Sequence, residues 1–157
     1  MIIHENGFFF DEGHLHGLDY YVMIMENAEG APQTIENICY DYNLSSKFKK
    51  YDSYYIEENQ QAVENYYDYE GKSILIIIQS TKQFFTHPVV EGEDVWEAAE
   101  IRGCKGFTIT HTYIYPNGEK YVTNHVIWDC GDYVHMVVGH NLFLDEVMSI
   151  VNGMTEK

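Results

Sequence analysis

Eight histidines are the residues of this chain whose chemistry is most specific, and four of them, His111, His125, His135 and His140, fall within its last third. Imidazoles at such a density call for a zinc test: three protein ligands must reach one ion at about 2.1 Å. Strand register supplies it. If Asn117-Gly118 forms a two-residue turn, His111 faces Asn124 and His125 faces Thr110. If Cys130-Gly131 forms the next turn, His135 faces Val126 and His125 faces Met136. His111 and His135 then share a sheet face with one strand between them, roughly 10 Å apart at about 4.8 Å per strand, while His125 points away. Three bonds to one ion are out of reach, so His111 and His135 are weak metal candidates. His14 and His16 stand two apart in a glycine-flanked loop and lack a third ligand nearby. The expectation is no metal.

Other chemistries find less support. There is no Gly-x-Ser-x-Gly elbow, no phosphate-cradling glycine loop, and no alternating Asp/Asn calcium loop in Glu91-Gly92-Glu93-Asp94. No catalytic residues are expected, and no cofactor. Cys39, Cys104 and Cys130 have neither CxxC spacing nor a cationic neighbourhood. Their odd number cannot close completely into intramolecular disulfides, so free or buried thiols are expected, with Cys104 to Cys130 the bridge that two neighbouring turns would permit in an oxidising compartment.

The formal charge of −16, from nine Lys and Arg against 25 Asp and Glu, repels phosphate backbones and anionic lipid. Nucleic acid and direct binding to an anionic membrane are thereby disfavoured. Tyrosine is abundant instead. Tyr51, Tyr54, Tyr55, Tyr66, Tyr67 and Tyr69 crowd one stretch, where strand alternation turns some rings outward as a contact face for a protein or peptide.

These residues need strands to position them. The apolar run Ile74–Ile78 reads as a central strand covered on both faces, and Asp52–Glu58, Ala62–Tyr69 and Ser73–Ser80 as a meander with turns at Asn59-Gln60 and Glu70-Gly71-Lys72. Val95–Arg102, Lys105–Tyr115, Lys120–Asp129 and Tyr133–Gly139 continue it. In Asn141–Met154 the period changes: Val147, Ile150, Val151 and Met154 make one helical stripe behind Asp145 and Glu146. Upstream, Phe8–Phe10 and Tyr20–Met25 read as strands, Thr34–Tyr40 as a helix start and Thr81–Asp94 as a surface loop. The fold class is α+β: one domain, residues 1–157, with an N-terminal strand region over 1–31, then over 32–154 a meandering, mostly antiparallel sheet of six to eight strands bearing a C-terminal helix on one face.

Four segments in order, Asp68–Ile76, Ile101–Gly106, Val126–Asp129 with Tyr133–Met136, and Leu144–Ile150, resemble a bacterial domain family of unknown function. Its members are often the C-terminal, extracytoplasmic part of membrane proteins, some with anti-sigma-factor-like N-termini. The resemblance covers about Pro32 to Met154, departs at Leu44–Phe48 where the family has a proline-containing loop, and supplies no catalytic residues. It implies a non-enzymatic sensing or interaction module outside the cytoplasm. The alternatives are a small-ligand or lipid carrier using the sheet's concave face, and a metal-dependent hydrolase. The N-terminus carries no signal peptide as it stands, which favours the cytoplasm instead.

Overall fold

A computed structural model describes residues 40–58, 60–82, 94–129 and 133–156, with the backbone of two short strands, β1 (Ile2–Ile3) and β2 (Phe9–Phe10), that pair antiparallel. The other upstream expectations, Tyr20–Met25 and the helix start at Thr34, lie outside the described residues, as does most of Thr81–Asp94. The remaining strands are β3 (Tyr40–Asp41), β4 (Lys49–Ile56), β5 (Gln61–Asp68), β6 (Ser73–Thr81), β7 (Val95–Ile101), β8 (Cys104–Ile114), β9 (Lys120–Asp129), β10 (Tyr133–His140) and β11 (Thr155–Glu156); the helix α1 spans Leu144–Asn152.

Seven of these strands form one sheet in the order β4-β5-β6-β10-β9-β8-β7, with every neighbouring pair antiparallel. The α+β expectation holds, but the sheet is two meanders. After β6 the chain starts again at the opposite edge with β7 and returns strand by strand until β10 meets β6. β6 is therefore an interior strand, as its unbroken Ile-Leu-Ile-Ile-Ile run requires.

Register assigns the faces. One carries Leu75, Ile77, Val126, Trp128 and Val137, which cluster with Val147, Val151 and Met154. The reverse face carries Val63, Phe107, Ile109, Ile127 and Val134, all buried as well. Helix α1 is shorter than the periodic stretch: Phe143 caps it without a side-chain hydrogen bond, and the Gly153 N–H ends it on the Ser149 and Ile150 carbonyls. Its C-terminal carbonyls have no basic residue of their own turn. Arg102 supplies one, its guanidinium donating to the Val151 and Asn152 carbonyls at 3.3 Å each.

Arg102 sits in a tight connection of its own. Arg102 and Gly103 both have positive φ, 53° and 79°, between the paired Ile101 and Cys104, which is the two-residue type I′ turn. At the first predicted hairpin that turn is absent. There the Gly118 N–H bonds to the Tyr115 carbonyl at 2.8 Å, and Gly118 alone has positive φ, 86°. Pro116 at the second position and glycine at the fourth make a type I turn with a bulge, a loop one residue longer than expected. The register moves by one, and in a strand that exchanges faces. His111 faces Thr123, and His125 faces Ile109.

Under the helix-bearing face, His135 is almost wholly buried, stacked on Trp128 with centroids 5.0 Å apart and touched edge-on by Tyr40 at 5.0 Å. Burial, with the Arg102 charge adding to it, pushes this imidazole from 6.5 down to about 4. The unfolded chain thus takes up the proton first, so stability is complete above about pH 6.5 and falls as pH drops toward 4. Over that window the wild type should lose about 3 kcal/mol more than His135→Phe, measured by urea unfolding at each pH.

At Gly139 on β10 the helix packs close to the strand: a Cβ there would lie 2.5 Å from Val147 Cγ2 and 3.0 Å from Leu142 Cβ. Gly139→Ala should cost about 2 kcal/mol by overpacking, seen as a lower urea midpoint at unchanged slope.

Candidate functional site

Among the described residues the histidines do not converge as a three-ligand site. The corrected registers place His111, His125 and His140 on the reverse face and His135 on the helix-bearing face, so His111 and His135 do not share a face as expected. His14 and His16 lie outside the described residues. On the reverse face, the pairs His111↔Thr123 and Thr123↔His140 form one row across β8, β9 and β10. Asp94, just before β7, closes the row, its Oδ2 2.6 Å from His111 Nδ1 with both side chains mostly buried.

Each ring in the row is held. His125 meets His111 edge-on with centroids 5.1 Å apart, Thr123 Oγ1 lies 2.8 Å from His140 Nδ1, and Tyr121 stacks on His140 at 6.2 Å. A carboxylate on Nδ1 fixes a tautomer and leaves Nε2 as the basic nitrogen, the arrangement that orients an imidazole for acid–base work or for a metal. Among the described residues no group of three or more His, Cys, Asp or Glu is placed to hold a metal ion. The row binds strands to one another.

Immediately beyond it the β8–β9 hairpin outruns its neighbours. β7 pairs with β8 only as far as Thr110, and the last backbone bond from the other flank is Asn141 N–H to the Val122 carbonyl at 2.7 Å. Tyr113↔Tyr121, Ile114↔Lys120 and the turn project past both, roughly 7 Å of ladder at about 3.4 Å per residue. Their surface is aromatic and open: Tyr113, Ile114 and Tyr115 are 49%, 68% and 45% exposed. The tip is also ordered. Tyr115 meets Tyr121 edge-on at 4.6 Å, Tyr121 donates to Glu119 Oε2 at 2.8 Å, and Asn117 Oδ1 accepts the Glu119 N–H at 3.0 Å.

The tyrosines singled out in the sequence are divided by the sheet. Tyr54 and Tyr67 lie on the reverse face, Tyr55 and Tyr66 on the helix-bearing face, and Tyr51 in a bulge of β4. Tyr69 is exposed beyond β5, edge-on to Tyr67 at 4.5 Å. Tyr55 donates to Gln60 Oε1 at 2.9 Å, and Tyr66 packs against the core, where burial and then the Glu64 carboxylate push its phenol up to about 12. Sequence reading missed Tyr113, Tyr115 and Tyr121 as surface; the signal was tyrosine on both arms of a Pro-Asn-Gly turn. Cys104 begins β8 rather than lying in a turn and is disulfide-bonded, against the expectation of a thiol. Cys39 and Cys130 lie outside the described residues.

Comparison with protein-family models, curated proteins and solved structures finds no match. The projecting hairpin depends on one backbone conformation, at Gly118. A Cβ there meets no atom within 4 Å, so Gly118→Ala should cost only the positive-φ strain, about 1 kcal/mol. Amide exchange should accelerate at Tyr113–Tyr121 while β6 and β10 stay protected.

Proposed function

We propose that this protein is a non-enzymatic sensing or protein-interaction domain of a bacterial exported or membrane-associated protein, with the end of the β8–β9 hairpin as its contact surface. The observation that carries the reading is the aromatic hairpin tip, held rigid and standing clear of its flanking strands. Tyrosine offers large contact area with few rotors to freeze and a polar end that tolerates water before binding, so an ordered tyrosine tip costs little entropy on docking. The charge of −16 leaves proteins and peptides, rather than nucleic acid or anionic lipid, as the partner class. The disulfide at Cys104 accords with an oxidising compartment outside the cytoplasm, as does the resemblance of residues 32–154 to extracytoplasmic domains. No helix among the described residues is long and apolar enough to cross a membrane.

The test is site-specific photo-crosslinking in the native host. A photoreactive phenylalanine analogue at Ile114 should give a discrete protein adduct, and the same analogue at the equally exposed Tyr69 should not. Equal labelling at both positions, or none at Ile114, would sink the reading. Native mass spectrometry gives the competing outcomes: a retained lipid would make the protein a carrier, and a retained zinc would support a hydrolase.

A further inference from the structure

Among the described residues the sheet has two outer strands, and their sequences differ in how they guard the edge. An outer strand presents unpaired peptide groups to any extended chain, and proteins blunt this with lysine, proline or a bulge. β4 has two of these devices: Lys49 and Lys50, and a register break between Lys50 and Asp52. β7 has none. Its sequence Val-Trp-Glu-Ala-Ala-Glu-Ile contains no lysine, arginine or proline, and its register with β8 runs unbroken from Val95↔Thr110 to Ile101↔Cys104.

The turn at Arg102-Gly103 fixes which peptide groups face outward. In a two-residue hairpin the closing pair, Ile101 and Cys104, exchanges ladder hydrogen bonds, and the bonding then alternates along the strand. Ile101, Ala99 and Glu97 direct their N–H and C=O toward β8. Ala98 and Glu100 direct theirs away from the sheet, and both residues are exposed. Their side chains do not shield them: a depression of about 450 Å³ lined by Ala98, Ala99, Glu100, Gly103, Cys104 and Lys105 sits astride this edge. Alanine from alternate faces leaves room beside the strand for a partner's side chains.

Charge selects the occupant. Glu97 is exposed on the helix-bearing face and Glu100 on the reverse face, so an added strand meets a carboxylate on either side. A second copy pairing antiparallel about Ala98 would set Glu97 across from Ala99 and Glu100 across from Trp96, with the two Glu97 carboxylates diagonal on one face, and would join two chains that each carry −16. A basic chain gains from the same arrangement. We infer that the outer edge of β7 is a β-addition site for an extended, lysine- or arginine-bearing peptide segment, which would add an eighth strand to the sheet. The inference rests on the reading of the protein as an interaction module and names the chemistry of its partner. Main-chain bonds would supply affinity and alternate side chains the specificity.

The probe is an alternating Lys-Val peptide as long as β7, titrated at physiological salt and followed by amide chemical shifts and calorimetry. Shifts should concentrate at Ala98 and Glu100, and a Glu-Val peptide should not bind. Methylating alternate peptide nitrogens keeps the charge but removes the pairing donors, and should weaken binding at least about tenfold. Ala98→Pro should do the same from the protein side, since it deletes an outward N–H and leaves the β8 ladder whole. Glu97→Lys should also weaken binding, by electrostatics alone. Equal affinity for the methylated and unmodified peptides would show simple charge attraction and overturn the inference, as would a concentration-dependent dimer abolished by Ala98→Pro. If Ala98→Pro fails to unfold cooperatively on heating, the methylated peptide still decides. Loss of peptide binding with hairpin crosslinking intact would reject the β7 site alone, and loss of both would reject the interaction module itself.

Discussion

Everything in this molecule depends on the seam where β6 meets β10. Each meander can form from contacts local in sequence, but neither buries its strands until Ser73–Thr81 and Tyr133–His140 lie against each other, because those strands become interior only together. Both ends of the seam are fastened by polar groups. At one, the Ser73 hydroxyl donates to the Asn141 carbonyl at 3.0 Å, and Asn141 Nδ2 returns a bond to the Gly71 carbonyl at 3.1 Å. At the other, Lys82 and Asp129 form a buried ion pair at 3.0 Å. Such a pair adds little net stability over an apolar substitute, yet losing one member strands the other charge, so it penalises wrong register strongly. Register is what this seam needs to specify, since a run of five aliphatic residues, Ile74–Ile78, would tolerate slippage on its own.

Strand positions were legible in the sequence because alternation and β-branched residues mark them locally. Sheet order was not. Nothing local in Val95–Ile101 says that it begins a second meander at the far edge, since adjacency across the seam is a property of packing. The register error at Asn117-Gly118 is more instructive. Asn-Gly satisfies a type I′ turn, but Pro116 just before it prefers the second position of a type I turn, and the observed hairpin follows the proline. One residue of loop exchanged two faces, and His125 joined His111. The true type I′ turn lies at Arg102-Gly103, where arginine accepts an unfavourable φ and its side chain reaches the helix carbonyls. Capping and turn geometry there form one device.

The candidate site was half legible. Tyrosine density drew the eye to β4 and β5, whereas exposure is decided by where strands stop having neighbours. On β4 and β5 alternation spends the rings on both faces, while on β8 and β9 the ladder outlives its flanks and leaves Tyr113 and Tyr115 in the open. The projecting tip and the unguarded β7 edge belong to adjacent strands, so recognition by pairing and recognition by aromatic contact would act on one side of the sheet. The opposite side carries lysines and a bulge, which disfavour strand addition there.

One of the two shortest strand pairs closes the described body on itself. β3 and β11 pair antiparallel through Asp41↔Thr155 and Tyr40↔Glu156, so the chain enters and leaves the described body side by side. Two bridges at the end of a body fray at far lower free energy than an interior ladder, so this closure can open and re-form while the seven-stranded sheet stays intact.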